Sequence, residues 1–178
     1  MTDLICGSFC VKHILEKLGK EDITVDPNML WISELVLFLN KHISNKLNLY
    51  YYNSSLMKDY YLTQDNNFDG FKHIKSVIDS KKIDFIEKEL TLSELENEIN
   101  NSKFIILCVE SKVLNNDASM NGGHYVVLEK NSDNKLIMYN PQKSVMATEI
   151  IDHNRVIELC INYGSWRVVI EKEGIEND

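Results

Sequence analysis

Two short stretches near opposite ends of the sequence hold residue types suited to covalent chemistry. In "LICGSFCVKHIL", Cys6 stands directly before Gly7 and Ser8, where an amphipathic helix begins. The open amides and the dipole at a helix start favour a thiolate over a thiol. A thiolate is the attacking species of a cysteine enzyme, and an imidazole beside it holds the transferable proton. In "GGHYVVLEK", His124 follows two glycines at the mouth of a strand-like run that needs no imidazole for packing. Each residue also has an ordinary reading, since a free cysteine is among the most buried residue types.

A histidine base needs a partner that fixes its tautomer and ring plane. "KLIMYNPQ" offers Asn140. A hairpin folded around "EKNSDNK" with Leu128 opposite Leu136 sets Val126 against Met138 and His124 against Asn140. Alternate residues share a face, so imidazole and amide would meet there. Pro141 biases Asn140 toward an extended backbone, and a slip of one residue would turn the amide away. The plainer reading of Asn140-Pro141 is a strand-ending turn. Together, a helix-start cysteine, a sheet-edge histidine and an orienting amide, in that chain order, form the arrangement of papain-like enzymes. No other set in the chain is as coherent. Cys10 lies one turn after Cys6 and reads as core, as do Cys108 and Cys160 in apolar, strand-like contexts. His13 flanks the helix, and His42, His73 and His153 have no partners in sequence.

The elements that must position these groups follow from periodicity. Val11, Ile14, Leu15 and Leu18 make one helical face that stops at Gly19. "NMLWISELVLFLNKHI" repeats the pattern, with Trp31, Leu35, Phe38 and Leu39 inward. "LNLYYYN" and residues 83–86 read as strands, and Phe71, Ile74, Val77 and Ile78 mark a third helix. "TLSELENEI" opens on a capping box between Thr91 and Glu94. Then the period becomes that of strands in "KFIILCVE", "HYVVLE", "KLIMYN" and "WRVVIE". This order predicts one α+β domain over residues 1–178, with an N-terminal helical half packed on an antiparallel sheet. Between Cys108 and His124, "VESKVLNNDASMNGG" has no convincing period and reads as either a lid or a surface excursion. The final "EGIEND" reads as frayed.

Composition narrows the classes. The 178 residues carry 44% hydrophobic side chains, enough for a sizeable core, and only 2 Pro and 7 Gly. A formal charge of −8, from 19 Lys and Arg against 27 Asp and Glu, is poorly suited to a phosphate backbone. Nucleic acid is therefore not expected as a partner, nor is a membrane, because no apolar run is long enough to cross one. "MTDLICGSFC" lacks the pattern of a secretion signal, and cysteine spacing fits no structural zinc site. A reduced, cytoplasmic setting is expected, with neither metal nor cofactor.

The sequence also carries a resemblance. "CGSFCVKHIL" is similar to the helix start of papain-like domains, including the peptidase domains of bacteriocin exporters. "LWISELVLFLN", "KIDFIEKELTLSELENEI", "KFIILCVESKVL", "GHYVVLEK", "LIMYNP" and "INYGSWRVVI" follow in the order of a narrower group, the guanylyl cyclase domain-containing protein family. The resemblance implies a papain-like fold, with Cys6 as nucleophile, His124 as base and Asn140 as orienting residue, acting on a peptide or protein. Those peptidases usually carry an aspartate before the proline, where this chain has Asn140. They also place a glutamine ahead of the cysteine for the oxyanion. "MTDLI" contains none, and the carboxylate of Asp3 would repel a developing oxyanion. A noncatalytic peptide- or protein-binding module on the same fold is the alternative. The family name raises guanylyl cyclase activity as a third reading, but no glycine-rich phosphate loop or strand-borne carboxylate pair accompanies it, and "SFCVK" is only a loose echo of the signature proposed for plant cyclases.

Overall fold

The computed structural model describes residues 5–51, 83–120, 122–142, 147–160 and 166–172. The helix expected around Phe71 and the frayed "EGIEND" lie outside them. Two helices come first, α1 (Cys6–Lys17) and α2 (Ile32–His42), then strands β1 (Leu47–Tyr51) and β2 (Asp84–Glu87). Helix α3 (Leu92–Asn101) leads into β3 (Ser102–Glu110), the short α4 (Ser111–Asn115) and β4 (Gly123–Lys130). The chain continues through β5 (Leu136–Tyr139), β6 (Thr148–Ile150), α5 (His153–Cys160) and β7 (Arg167–Glu171).

The seven strands form one sheet in the order β2-β1-β7-β3-β4-β5-β6. The α+β class holds, with two corrections to its expected form. The sheet is mixed, because β1 pairs with β2 in parallel while the other pairs are antiparallel. Helices also cover both faces rather than one. Residues of α1 and α2 pack with Leu47, Leu49, Phe104, Ile106, Val127, Val168 and Ile170 on the first face. Residues of α3, α4 and α5 pack with Ile105, Leu107, Val109, Val126, Leu128, Met138 and Val169 on the second. This double cover explains why "FIILCV" shows no polar alternation: β3 lies mid-sheet and is apolar on both sides.

Local chemistry sets the helix ends. Gly19, at φ +70°, closes α1 in a Schellman turn, with Lys20 N donating to Leu15 O at 2.9 Å. Glu34 Oε2 accepts from the amides of Leu30 and Trp31, both at 2.8 Å, and caps α2 from within. Thr91 Oγ1 accepts from Glu94 N at the start of α3, as its sequence predicts. The region between Cys108 and His124 is more ordered than its sequence suggests, since β3 continues to Glu110 and α4 follows directly. Cys160, expected in a strand, ends α5 and is buried.

Two contacts lay α1 along β4. A Cβ on Gly7 would meet the Tyr125 ring at 3.3 Å, so the first turn of the helix sits over the start of the strand. Farther along, Glu129 Oε1 lies 3.1 Å from both His13 Nε2 and Lys17 Nζ. His13 also stacks on Tyr139, with centroids 4.0 Å apart and planes 9° from parallel. Burial pushes the Glu129 carboxyl up, but the bonds from His13 and Lys17 outweigh it and leave the group below its ordinary range. Helix and strand thus run in the same direction, and Cys6 lies at the His124 end of β4.

On the second face Arg167 is fully buried and paired in two places with Glu98 of α3, Nε to Oε2 and Nη2 to Oε1, each at 2.6 Å. Its guanidinium lies 4.6 Å from the centroid of the Tyr50 ring. Breaking such a pair strands a charge, whereas replacing both partners with apolar groups removes the desolvation cost as well. Glu98→Ala should therefore lose about 3–5 kcal/mol in urea unfolding. Glu98→Leu combined with Arg167→Met should recover most of that loss. Similar losses in the single and double variants would show that the pair is not the source.

Candidate active site

His124 and Asn140 meet, although not through the expected register. The hairpin pairs Leu128 with Met138 and Lys130 with Leu136, two residues away from the register read from sequence. A shift of two keeps every side chain on its face, so Asn140 still shares a face with Met138. It reaches His124 diagonally, and Asn140 Oδ1 lies 3.0 Å from His124 Nε2. The physical reason for the shift is the tighter turn: Asn131 N donates to Lys135 O, and Asn131 Oδ1 accepts from Asp133 N and Lys135 N.

A second bond to Asn140 fixes the tautomer. Gln142 N donates to Asn140 Oδ1 at 3.0 Å. A backbone amide can only donate, so the atom it meets is the carboxamide oxygen. That oxygen can only accept, so His124 Nε2 carries the proton that it shares with Asn140. In the neutral ring, Nδ1 is then the nitrogen with the free lone pair. The pair is deeply enclosed, with His124 1% exposed and Asn140 0%. Burial holds the imidazole below its ordinary pKa, and the bond to Asn140 offsets this only in part. At neutral pH His124 is an uncharged base. Asn140 Nδ2 is buried without a hydrogen-bond partner among the described residues.

Cys6 opens α1 and is half-buried. The residue ahead of it, Ile5, provides no side-chain cap, so the helix start is held by tertiary bonds. All four cysteines are free thiols. Burial pushes the thiols of Cys10 and Cys108 well up, and the charge of nearby Cys6 adds to both. Burial likewise pushes Cys160 up to about 12. These three thiols are thus held protonated within packing.

The sheet separates the two reactive groups more than a simple cleft would. Cys108 and Tyr125 pair across β3 and β4 and pack toward α1, whereas the next pair, Val109 and His124, belongs to the second face. The imidazole therefore does not face the α1–α2 layer directly. Gly7, next to Cys6, packs on Tyr125, so the thiol and His124 both lie toward the Gly123 end of β4, but no hydrogen bond joins them among the described residues. Gly122 adopts φ +99°, a conformation that suits glycine. Among the other histidines, His13 is engaged with Glu129 and Tyr139, and His42 rests against Phe38.

Two supports escaped the sequence reading. The Asp26–Met29 turn is tied to the first turn of α1 through Ser8, whose Oγ donates to Asp26 O at 2.7 Å and accepts from Met29 N at 3.2 Å. "DPN" signals a turn, but nothing in sequence says where that turn docks. Asn115 of α4 donates from Nδ2 to Gln142 Oε1 at 3.3 Å and to Ser111 O at 2.9 Å, beside the Asn140 turn. No group of three or more His, Cys, Asp or Glu side chains placed to hold a metal ion occurs among the described residues.

Because the Asn140 bond favours the charged imidazole, its removal should lower the His124 pKa further, while a carboxylate there should raise it. Titration by nuclear magnetic resonance should follow the order Asn140→Ala, wild type, Asn140→Asp from lowest to highest. The depressed wild-type value means that the unfolded chain binds the proton first as pH falls. This contribution to stability is full above the unfolded pKa of about 6.5 and is lost as pH drops from there through the folded value. An Asn140→Ala value at or above that of the wild type would break the assignment.

Comparison with known proteins adds no relative: no family model, no curated protein and no solved structure matches this chain.

Proposed function

We propose that the protein is a cysteine peptidase or related acyl-transfer hydrolase on a papain-like fold, with Cys6 as nucleophile, His124 as base and Asn140 as the residue that orients it. The proposal includes membership of the guanylyl cyclase domain-containing family, on the sequence resemblance alone. One observation carries the chemistry: an imidazole locked as the Nε2–H tautomer stands at the end of β4 where α1 presents its first residue, a half-buried thiol. The two groups lie toward opposite faces of the sheet, so this reaction requires them to meet around the Gly122–Gly123 end of β4.

In the proposed reaction His124 Nδ1 takes the proton of Cys6 Sγ as the sulfur attacks a peptide carbonyl. The carbonyl π pair moves onto oxygen, and its return expels the amine, which takes the proton from His124. Water then attacks the thioester with His124 again as base, releasing the acid and restoring the thiol. Asn140 keeps its bond to Nε2–H throughout and holds the ring plane. An uncharged resting imidazole fits this general-base route, because burial disfavours a standing thiolate–imidazolium pair. The substrate class is a peptide or protein, and the reading requires no cofactor.

A noncatalytic peptide- or protein-binding module is the second reading, favoured by the near-complete enclosure of His124. Cyclase activity draws less support. Phosphoryl transfer depends on metal and positive charge at the phosphates, whereas the groups assembled here are a thiol, an imidazole and an amide.

A peptide-library screen should reveal cleavage that Cys6→Ala abolishes and that His124→Ala lowers by about 10³-fold or more. The acid limb of kcat/KM should fall below pH ~6.5, since the base must be unprotonated and its pKa is depressed. Cleavage that persists in Cys6→Ala would point to a different nucleophile. With magnesium or manganese, GTP should yield no cyclic GMP. Formation proportional to enzyme and surviving both substitutions would replace this reading with the cyclase one.

A further inference from the structure

We propose that the Asp26–Met29 turn is a positioning strap for the Cys6 thiol, keyed by Ser8 and Asp26. The proposal rests on reading Cys6 as the nucleophile. Four contacts join this turn to the first turn of α1. Ile5 N donates to Pro27 O at 3.2 Å, immediately before the cysteine. Ser8 Oγ, fully buried, donates to Asp26 O and accepts from Met29 N, so both sides of the hydroxyl engage the turn. Gly7 completes the fit, because a Cβ there would lie 2.7 Å from Met29 O. Cys6 is thus bracketed on both sides by residues bonded to one four-residue segment.

The segment has its own internal lock. Asn28 N donates to Asp26 Oδ1 at 2.9 Å, a side-chain turn that sets the direction of the Asp26 and Met29 backbone groups. Ile5 contributes no cap, so the orientation of the helix start depends on these tertiary bonds. A helix start released from the strap can pivot, and a thiol on its first residue moves with it. Ser8 and Asp26 act through the backbone and make no contact with substrate in this scheme; they are positioning residues.

The test reads the thiol directly and separates the strap from the reaction. Iodoacetamide labelling of Cys6 is followed by mass spectrometry of its peptide in wild type, Asp26→Ala, Asp26→Asn, His124→Gln and the Asp26→Ala/His124→Gln double variant. Asp26 is exposed, so its substitution spares the core, whereas Ser8→Ala would leave the buried amide of Met29 without its acceptor. Expected is a slowing of about tenfold in His124→Gln and in Asp26→Ala, with no further slowing in the double variant, as coupled groups show. Asp26→Asn keeps the acceptor oxygen and should restore the rate. If His124→Gln slows labelling by the same factor with and without Asp26→Ala, the strap does not position the thiol, and the reading of Cys6 and His124 stands. If His124→Gln has no effect in the otherwise wild-type chain, both the strap and the nucleophile–base reading fall.

Discussion

Gly7 lets the first turn of α1 approach the backbone of Met29 on one side and the Tyr125 ring on the other, closer than any side chain would allow. From that contact the helix runs along β4 until His13 and Lys17 close on Glu129. The far end is polar and enclosed, the near end tight and nearly featureless. Between them they fix both the direction of α1 and its height along the strand. The position of Cys6 relative to His124 depends on this alignment. If the helix were reversed along the strand, the thiol would lie beside Glu129 rather than beside Tyr125, and the two reactive groups would occupy opposite ends of the sheet.

Much of this was legible in the sequence, for reasons that differ by residue. Val11, Ile14 and Leu15 repeat with helical period because one face of α1 is buried, and Gly19 ends the helix because the turn needs φ +70°. The contact between Asn140 and His124 was legible although the register differs by two residues, since face depends on parity. What could not be read is tertiary. The run "FIILCV" says that a strand is buried on both faces, but not which helices do the burying. Helix α5 was missed: "HNRVIELC" is short and mostly polar, and only Val156, Leu159 and Cys160 are buried. The parallel pairing of β1 with β2 depends on a crossover, which periodicity does not record. "WRVVIE" reads as a strand without showing that Arg167 is buried, since its partner Glu98 is distant in sequence.

The His124–Asn140 pair shows why burial and hydrogen bonding must be weighed together. Enclosure alone would depress the imidazole strongly and leave its ring free to choose a tautomer. The oxygen of Asn140 answers both effects in part, raising the pKa and taking the Nε2 proton. An aspartate at position 140 would do this more forcefully, but its charge would itself need compensation in an apolar layer. The amide is the milder solution. It leaves the ring uncharged, and the bond from Gln142 N prevents the carboxamide from flipping to present its NH2 group. The residual cost is visible in Asn140 Nδ2, buried with no partner among the described residues.

The two halves of the candidate site are held by different physics. The imidazole of His124 is enclosed and oriented by the Asn140 side chain, itself fixed by the backbone amide of Gln142. The Cys6 thiol is half-buried, and the start of its helix is bonded to a turn whose Asp26 and Asn28 are exposed. The enclosed His124 has little freedom, so the geometry of the pair depends on how firmly the Asp26–Met29 turn holds the start of α1. Cys6 lies toward one face of the sheet and His124 toward the other, so the proposed reaction requires them to meet around the glycine end of β4.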